Sequence, residues 1–210
     1  MAQDTTGERG DEGEGEHRRP GRPRDPGYDK VILDATLEIL NDKGYAGLTI
    51  DGVAAKTGVG RPTIYRRWPS KPALVIAALT QAPSMSFTPD TGALRDDLLA
   101  FQRDQVEMMD RPASRRITAG LVADLVADPE LAETYLVDYV GLRQTSVREA
   151  LERGIERGEL RADADLSLIY DLLIGPLFLR SVVRGELLGP DMAEQTVDLV
   201  LSAFRAGGES

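Results

Sequence analysis

The sequence predicts an all-α protein in two parts, a small N-terminal three-helix unit containing a helix-turn-helix and a larger helical body. Apolar residues recur at three- and four-residue spacing over most of the chain after residue 28, the period of amphipathic helices. No stretch alternates apolar and polar residues as a half-buried strand would. Two short helical patterns between residues 49 and 67 are joined by a turn at Gly58. A chain of 210 residues suits one small domain plus one larger one, and 41% hydrophobic content supplies a core for each.

Residues 1 to 27 are rich in Gly, Asp, Glu and Arg with Pro20, Pro23 and Pro26, a composition expected to be disordered. Arg18, Arg19, Arg22 and Arg24 make a basic arm just ahead of the first helix. That helix is expected over 28–43, where Ile32, Leu33, Leu37, Ile39 and Leu40 form a broad apolar arc and Gly44 stops it. In the second helix Ile50, Val53 and Ala54 supply a small buried face, and Thr49 is a good N-cap. Gly58 can turn the chain with positive φ. Val59 and Ile64 then tuck a third helix against the second, leaving Arg61, Thr63, Tyr65, Arg66 and Arg67 outward. Ser70 caps a fourth helix carrying Leu74, Val75, Ala78 and Leu79, and Pro83 to Pro89 reads as a connection.

The body continues with helices over 92–110 and 113–127. Asp128-Pro129 opens the next, to about 157, with Leu136, Val140, Val147, Leu151 and Ile155 on one face. Helices over 165–185 and 191–206 close the chain. The first of these is apolar nearly all round (Leu166, Ile169, Tyr170, Leu173, Leu177, Phe178, Val182), which requires burial on several sides and points to a second subunit. Gly175-Pro176 should bend it.

The segment from 28 to about 80 resembles the DNA-binding domain of the TetR family of bacterial transcriptional regulators. The resemblance rests on Leu48-Thr49-Ile50, Val53-Ala54, Thr57-Gly58-Val59, Thr63-Ile64-Tyr65 and Ser70-Lys71. The chain departs from the family pattern at two places: Gly60 stands where Ser is frequent, and Arg67-Trp68 where a Tyr- or His-Phe pair is frequent. The first weakens the cap of the recognition helix and the second makes its face more basic. The resemblance implies domains at 28–80 (DNA binding) and 81–210 (effector binding and dimerisation) behind the 1–27 tail. It also implies a cytoplasmic homodimer, paired through its last two helices, that binds a palindromic double-stranded operator and represses transcription until a small-molecule effector releases it.

Position by position, the resemblance places Arg61, Pro62, Thr63, Tyr65 and Arg67 at the DNA. Arg61 is the candidate for a guanine, because a guanidinium can bond O6 and N7 together. Pro62 and Thr63 can lie against thymine methyls. Thr49, Tyr65 and Lys71 suit phosphates, Arg66 either joins them or faces solvent, and Arg22 and Arg24 suit a minor groove. Trp68 is expected to pack between the third and fourth helices. Effector candidates are the polar or adaptable residues within apolar stripes: Phe101, Met108, Met109, Tyr135, Tyr139, Arg143 and Phe178. Arg143 falls on an apolar face, so a structural pair with Asp124 or Asp171 is expected, an anionic ligand being the alternative.

The net charge of −10 divides unevenly. Residues 28–80 hold seven Lys/Arg against five Asp/Glu, whereas 81–210 hold thirteen Arg against twenty-three Asp/Glu, so the segment meant for phosphates stays basic. No cysteine and a single histidine, His17, exclude a disulfide framework, a thiol nucleophile and a histidine-based triad or zinc site. No metal, cofactor or enzymatic constellation is expected. The start of the chain lacks the apolar run of an export signal. The longest late charge-free run, Leu172 to Leu179, is eight residues against the ~20 a membrane helix needs. The competing interpretation is an acidic helical module that binds a protein or a small molecule and carries a non-functional DNA head.

Overall fold

The computed structural model describes residues 26–81 and 88–206. The arginine arm, Arg22 and Arg24 included, and positions 82–87 of the connection lie outside the described residues. Among the described residues the structure is helical throughout, with no strand.

The head is built from α1 (Pro26–Gly47), α2 (Ile50–Thr57), α3 (Arg61–Arg67) and α4 (Lys71–Thr80). Gly44 breaks α1 where expected, at φ 69° and ψ −176°. The chain then closes one more turn, Leu48 N–H donating to the Tyr45 carbonyl at 3.2 Å, and this turn buries both Tyr45 and Leu48. The Ser70 hydroxyl accepts from Ala73 N–H at 3.3 Å and starts α4. Ile32, Leu40, Leu48, Val53, Ile64 and Leu74 form the centre of the head, with Trp68 packed against it as expected. The same cluster takes in Ile117, Leu121 and Leu131, so the head's core continues into the body.

The body comprises α5 (Leu94–Asp110), α6 (Pro112–Ala127), α7 (Pro129–Thr134), α8 (Gly141–Glu156), α9 (Leu166–Phe178) and α10 (Met192–Phe204). Asp128 caps α7, its carboxylate accepting from Leu131 N–H at 3.1 Å. A π-helical segment, Tyr135–Val140, joins α7 to α8 and corrects the expected apolar face of this long helix. Hydrogen bonding at i→i+5 adds a residue to the turn and rotates what precedes it. Val147 and Leu151 are fully buried, but Leu136 is 57% exposed, while Tyr135 and Tyr139 pack against the head cluster.

α9 does not end at Pro176; it runs to Phe178 and passes into a second π-helical segment, Leu179–Val183. The continuous stretch Leu166–Val183 has a mean hydropathy of 1.7 and is 18 residues long. By length and composition alone it could cross a membrane, which corrects the expectation drawn from the eight-residue run. Asp171 and Arg180 interrupt the run without lowering the hydropathy of the whole helix much. The second core joins α5, α8, α9 and α10 through Leu98, Phe101, Val147, Leu173, Val197 and Phe204. Within it the buried Gln102 amide donates to the Leu173 carbonyl at 2.7 Å and to Thr196 Oγ1 at 2.8 Å, tying three helices by one satisfied donor group.

Candidate DNA-binding surface and interior cavity

The geometry of α2 and α3 follows from their caps. Thr49 is extended, and its hydroxyl accepts from Gly52 N–H at 3.0 Å. Gly58 adopts φ 70°, the left-handed region open to glycine, and its N–H returns to the Ala54 carbonyl at 2.9 Å. Thr57 braces the turn by donating to the Val53 carbonyl at 2.8 Å and accepting from Val59 N–H at 3.3 Å. Gly60 provides no side-chain cap for α3, and Pro62 removes one N–H from the uncapped turn. Ile64, fully buried, pins α3 to the head. Arg61, Pro62, Tyr65 and Arg66 are exposed on the outer side, and Thr63 is half-buried beside them.

The cations of this surface are engaged to different degrees. Arg61 Nη1 pairs with Asp51 Oδ1 at 2.9 Å, both side chains exposed by more than 60%. An exposed pair is worth only ~0–1 kcal/mol, so Arg61 can exchange this partner for a nucleic-acid oxygen at little cost. Arg67 is placed differently from expectation. It lies three residues from buried Ile64, on the same side of α3. Its guanidinium turns inward to Asp29 of α1, with 16% side-chain exposure. Lys71 also departs from the outward position expected of it: Nζ sits 4.1 Å above the Tyr45 ring, where burial lowers its pKa. The Thr49 hydroxyl accepts in its cap, which leaves its O–H free to donate to a phosphate.

Tyr45 marks the seam between the head and the body. Its hydroxyl donates to the Asp124 carboxylate on α6, and its pKa is raised by burial first and by that carboxylate second. Gly120 lies directly beneath it, so close that a Cβ there would stand 2.6–2.8 Å from the Tyr45 ring and Cβ. Beside the seam is a cavity of about 320 Å³. Leu37, Leu40, Asn41 and Leu79 of the head form one wall. Met108 and Met109 of α5, Arg111 between α5 and α6, Ser114, Arg115, Ile117 and Thr118 of α6, Tyr139, Arg143, Ser181 and Val182 form the others. Arg143 is 5% exposed, and its guanidinium carbon lies 4.4 Å from the centre of the Tyr139 ring. It makes no ion pair with Asp124 or Asp171, contrary to expectation; Asp124 is already engaged by Tyr45.

Residues 32–78 match the family model described as bacterial regulatory proteins, tetR family, and residues 88–200 match the tetracyclin repressor-like C-terminal domain. The chain belongs to the TetR family. An HTH-type transcriptional regulator of Bacillus subtilis, YdeS, is 32% identical over 190 residues, covering 88% of this chain and 92% of its own. A DNA-binding transcriptional repressor TetR of Mycobacteroides abscessus is 33% identical over 187 residues, covering 84% and 94% respectively. The crystal structure of the TetR family regulator SCO0332 superposes with a TM-score of 0.73 at 31% identity, covering 83% of this chain and 97% of that one. This protein is therefore a DNA-binding transcriptional regulator of the TetR family, and the interaction-module alternative is not favoured.

Of the interior residues singled out for this TetR-family body, Met108, Met109, Tyr139 and Arg143 come together on the cavity wall. Phe101 does not; it is buried in the second core, its ring 6.4 Å from that of Tyr170. Tyr135 stands behind Tyr139 in a stacked pair at 5.2 Å, and half-buried Phe178 is absent from the lining. The wall contributed by α1 and α4 was not foreseen. Leu37, Leu40 and Leu79 look like ordinary core positions in sequence, and nothing local distinguishes a leucine facing a cavity from one facing another leucine.

Proposed function

We propose that this regulator is a homodimeric repressor whose two heads bind successive major grooves of a palindromic operator, and that a small-molecule effector in the cavity releases it. The carrying observation is that one cavity is walled jointly by head residues Leu37, Leu40, Asn41 and Leu79 and by the body. A ligand filling it touches the element that must be reoriented. It can then favour a head position incompatible with the operator, which requires only that it bind that state better.

On the DNA side, Arg61, Pro62, Thr63 and Tyr65 are the reading residues of α3, with Arg66 reaching the phosphate backbone. Arg67 and Lys71 act from behind, holding α3 to α1 and α4 to the seam until DNA offers them a competing oxygen. Arg22 and Arg24 of the arm extend the contact into the neighbouring minor groove. Dimerisation uses α9 and α10: only 28% of the Leu166–Val183 stretch is buried within one chain, and Leu168, Leu179, Val183 and Leu199 stand exposed along the two helices. An apolar face of this extent needs a partner. In this reading the protein acts in the cytoplasm, without catalysis and without a cofactor.

Selection of bound duplexes from a random library tests the proposal. An inverted repeat is expected for the parent protein. Arg61→Ala should weaken binding to it by about ten- to hundred-fold, corresponding to ~1–3 kcal/mol, and relax preference at one base of each half-site. A direct repeat, or a motif indifferent to Arg61→Ala, would overturn the assignment.

A further inference from the structure

We infer that the cavity accepts a compact organic carboxylate with an apolar body, its charge seated on Arg143; the inference rests on the reading of this cavity as the effector site. Arg143 is the buried group with the least compensation. Its Nε and Nη1 atoms are buried without a hydrogen-bond partner. Nη2 reaches the Met108 thioether sulfur at 3.6 Å, a weak acceptor. A guanidinium carries five N–H donors, and in Arg143 none of them meets an oxygen acceptor. The Tyr139 ring beneath it offers a cation–π contact but no anionic oxygen.

Among the described residues, Arg143 has no carboxylate within ion-pair distance. Asp104 lies near enough to feel its charge without pairing with it: burial and Glu107 raise the Asp104 pKa, while Arg143 lowers it. The cavity lining contains Arg111, Arg115 and Arg143 and not one Asp or Glu. In a body whose residues 81–210 carry twenty-three acidic side chains against thirteen arginines, a wall of that composition runs against the background. Arg111 is partnered by Glu107 at 2.7 Å and Arg115 by the Gly185 carbonyl at 3.1 Å. Arg143 is thus the cation whose charge the ligand completes.

The rest of the wall defines the other end of the ligand. Leu37, Leu40, Leu79, Ile117 and Val182 are apolar. At about 320 Å³ the space lies at the small end of the ~300–1,000 Å³ range of ligand sites. A protonated amine meets like charge there, and a neutral ligand leaves the buried guanidinium without an anion. A carboxylate supplies charge-assisted acceptors at Arg143 while its hydrocarbon part fills the leucine wall.

Calorimetric titration of the full chain with two matched pairs tests this: octanoate against octanamide, and phenylpropanoate against phenylpropanamide. The acids are expected to bind at least about tenfold more tightly than the amides. In Arg143→Met that preference should vanish while the melting temperature of the free protein rises, because an uncompensated buried charge is gone. A purely structural arginine would give the opposite shift in melting temperature. Arg143→Lys keeps the charge and should keep part of the preference, so the test survives if the methionine variant does not fold. Amides equal to acids, undiminished preference in Arg143→Met, or no binding of either acid would overturn the carboxylate site. Release of the selected inverted-repeat duplex is read separately: acids that bind without releasing DNA support the site and overturn the release mechanism.

Discussion

The head and the body are both made of helices, but the head is organised by local signals and the body by distant ones. Apart from the two ends of α3, the boundaries between α1 and α4 sit on residues whose own side chain or backbone freedom sets them: Gly44 and Gly58 at φ near 70°, Thr49 and Ser70 each accepting from the third N–H beyond them. In the body, two helices pass through π-helical segments without any comparable punctuation. A recognition surface can therefore be written in some twenty consecutive residues, whereas a ligand cavity needs α1, α4, α5, α6, α8 and the π segments to meet. The two regions nevertheless share one apolar cluster through α6, and this is where the comparison can be broken.

The largest expected effect is at Leu121, a body residue 2% exposed inside the head cluster. Leu121→Ala should cost ~2–5 kcal/mol. Trp68, the sole tryptophan, packs against the same cluster and reports on the head by fluorescence. Its unfolding transition should move together with the helical signal of the whole chain. If the tryptophan transition stays in place while the body loses stability, the head is an independent unit and the shared core has no energetic weight.

Gly120 sharpens the same point from the opposite direction. An alanine Cβ here meets the Tyr45 Cβ and ring at 2.6–2.8 Å, atoms too near the backbone to swing aside freely. Gly120→Ala should cost ~1–3 kcal/mol by overpacking and displace the Tyr45 hydroxyl from Asp124. Thermal denaturation with DNA affinity measured in parallel checks it. Because the strain falls on the seam, DNA affinity should change although no contact residue has been touched; unchanged stability and affinity would mean that the seam yields freely.

These residues also mark how far the sequence could be interpreted. The helix-turn-helix was legible because capping and turn chemistry act over a few residues, and Thr49, Gly58, Ile64 and Ser70 stand where such chemistry demands them. The outward face of α3 was legible for Arg61 and Tyr65 but not for Arg67, whose direction depends on Asp29, thirty-eight positions earlier in the chain. Leu136 was assigned to the wrong side because a 3.6-residue period was extended across a π segment. Met108, Tyr139 and Arg143 were suspected singly from polarity within apolar stripes. Their convergence, and the partnership of Tyr45 with Asp124, needed the packing of α1 on α6. The missing acidic partner of Arg143 was equally invisible, since sequence supplies many carboxylates and says nothing of which one arrives.

The smallest effect, and the most specific, concerns pH at the seam. Tyr45→Phe removes the hydroxyl that donates to Asp124, and near neutral pH should cost about 1 kcal/mol. The folded pKa of Tyr45 is raised above its ordinary value of 10.0, first by burial and then by the carboxylate, so the fold favours the neutral phenol. The stability tied to this group is therefore fully present below pH 10 and is lost as pH climbs beyond it, because the unfolded chain ionises Tyr45 before the folded chain does. Phenylalanine carries no such loss. Tyr135 and Tyr170, also raised by burial, decline equally in parent and variant and cancel in the comparison. The stability gap between parent and Tyr45→Phe should hence be constant up to about pH 9 and then close as the solution becomes more alkaline. Chemical denaturation across that range reads it directly. A gap that persists unchanged above pH 10 would mean that the Tyr45–Asp124 bond does not set the strength of the contact between the head and the body.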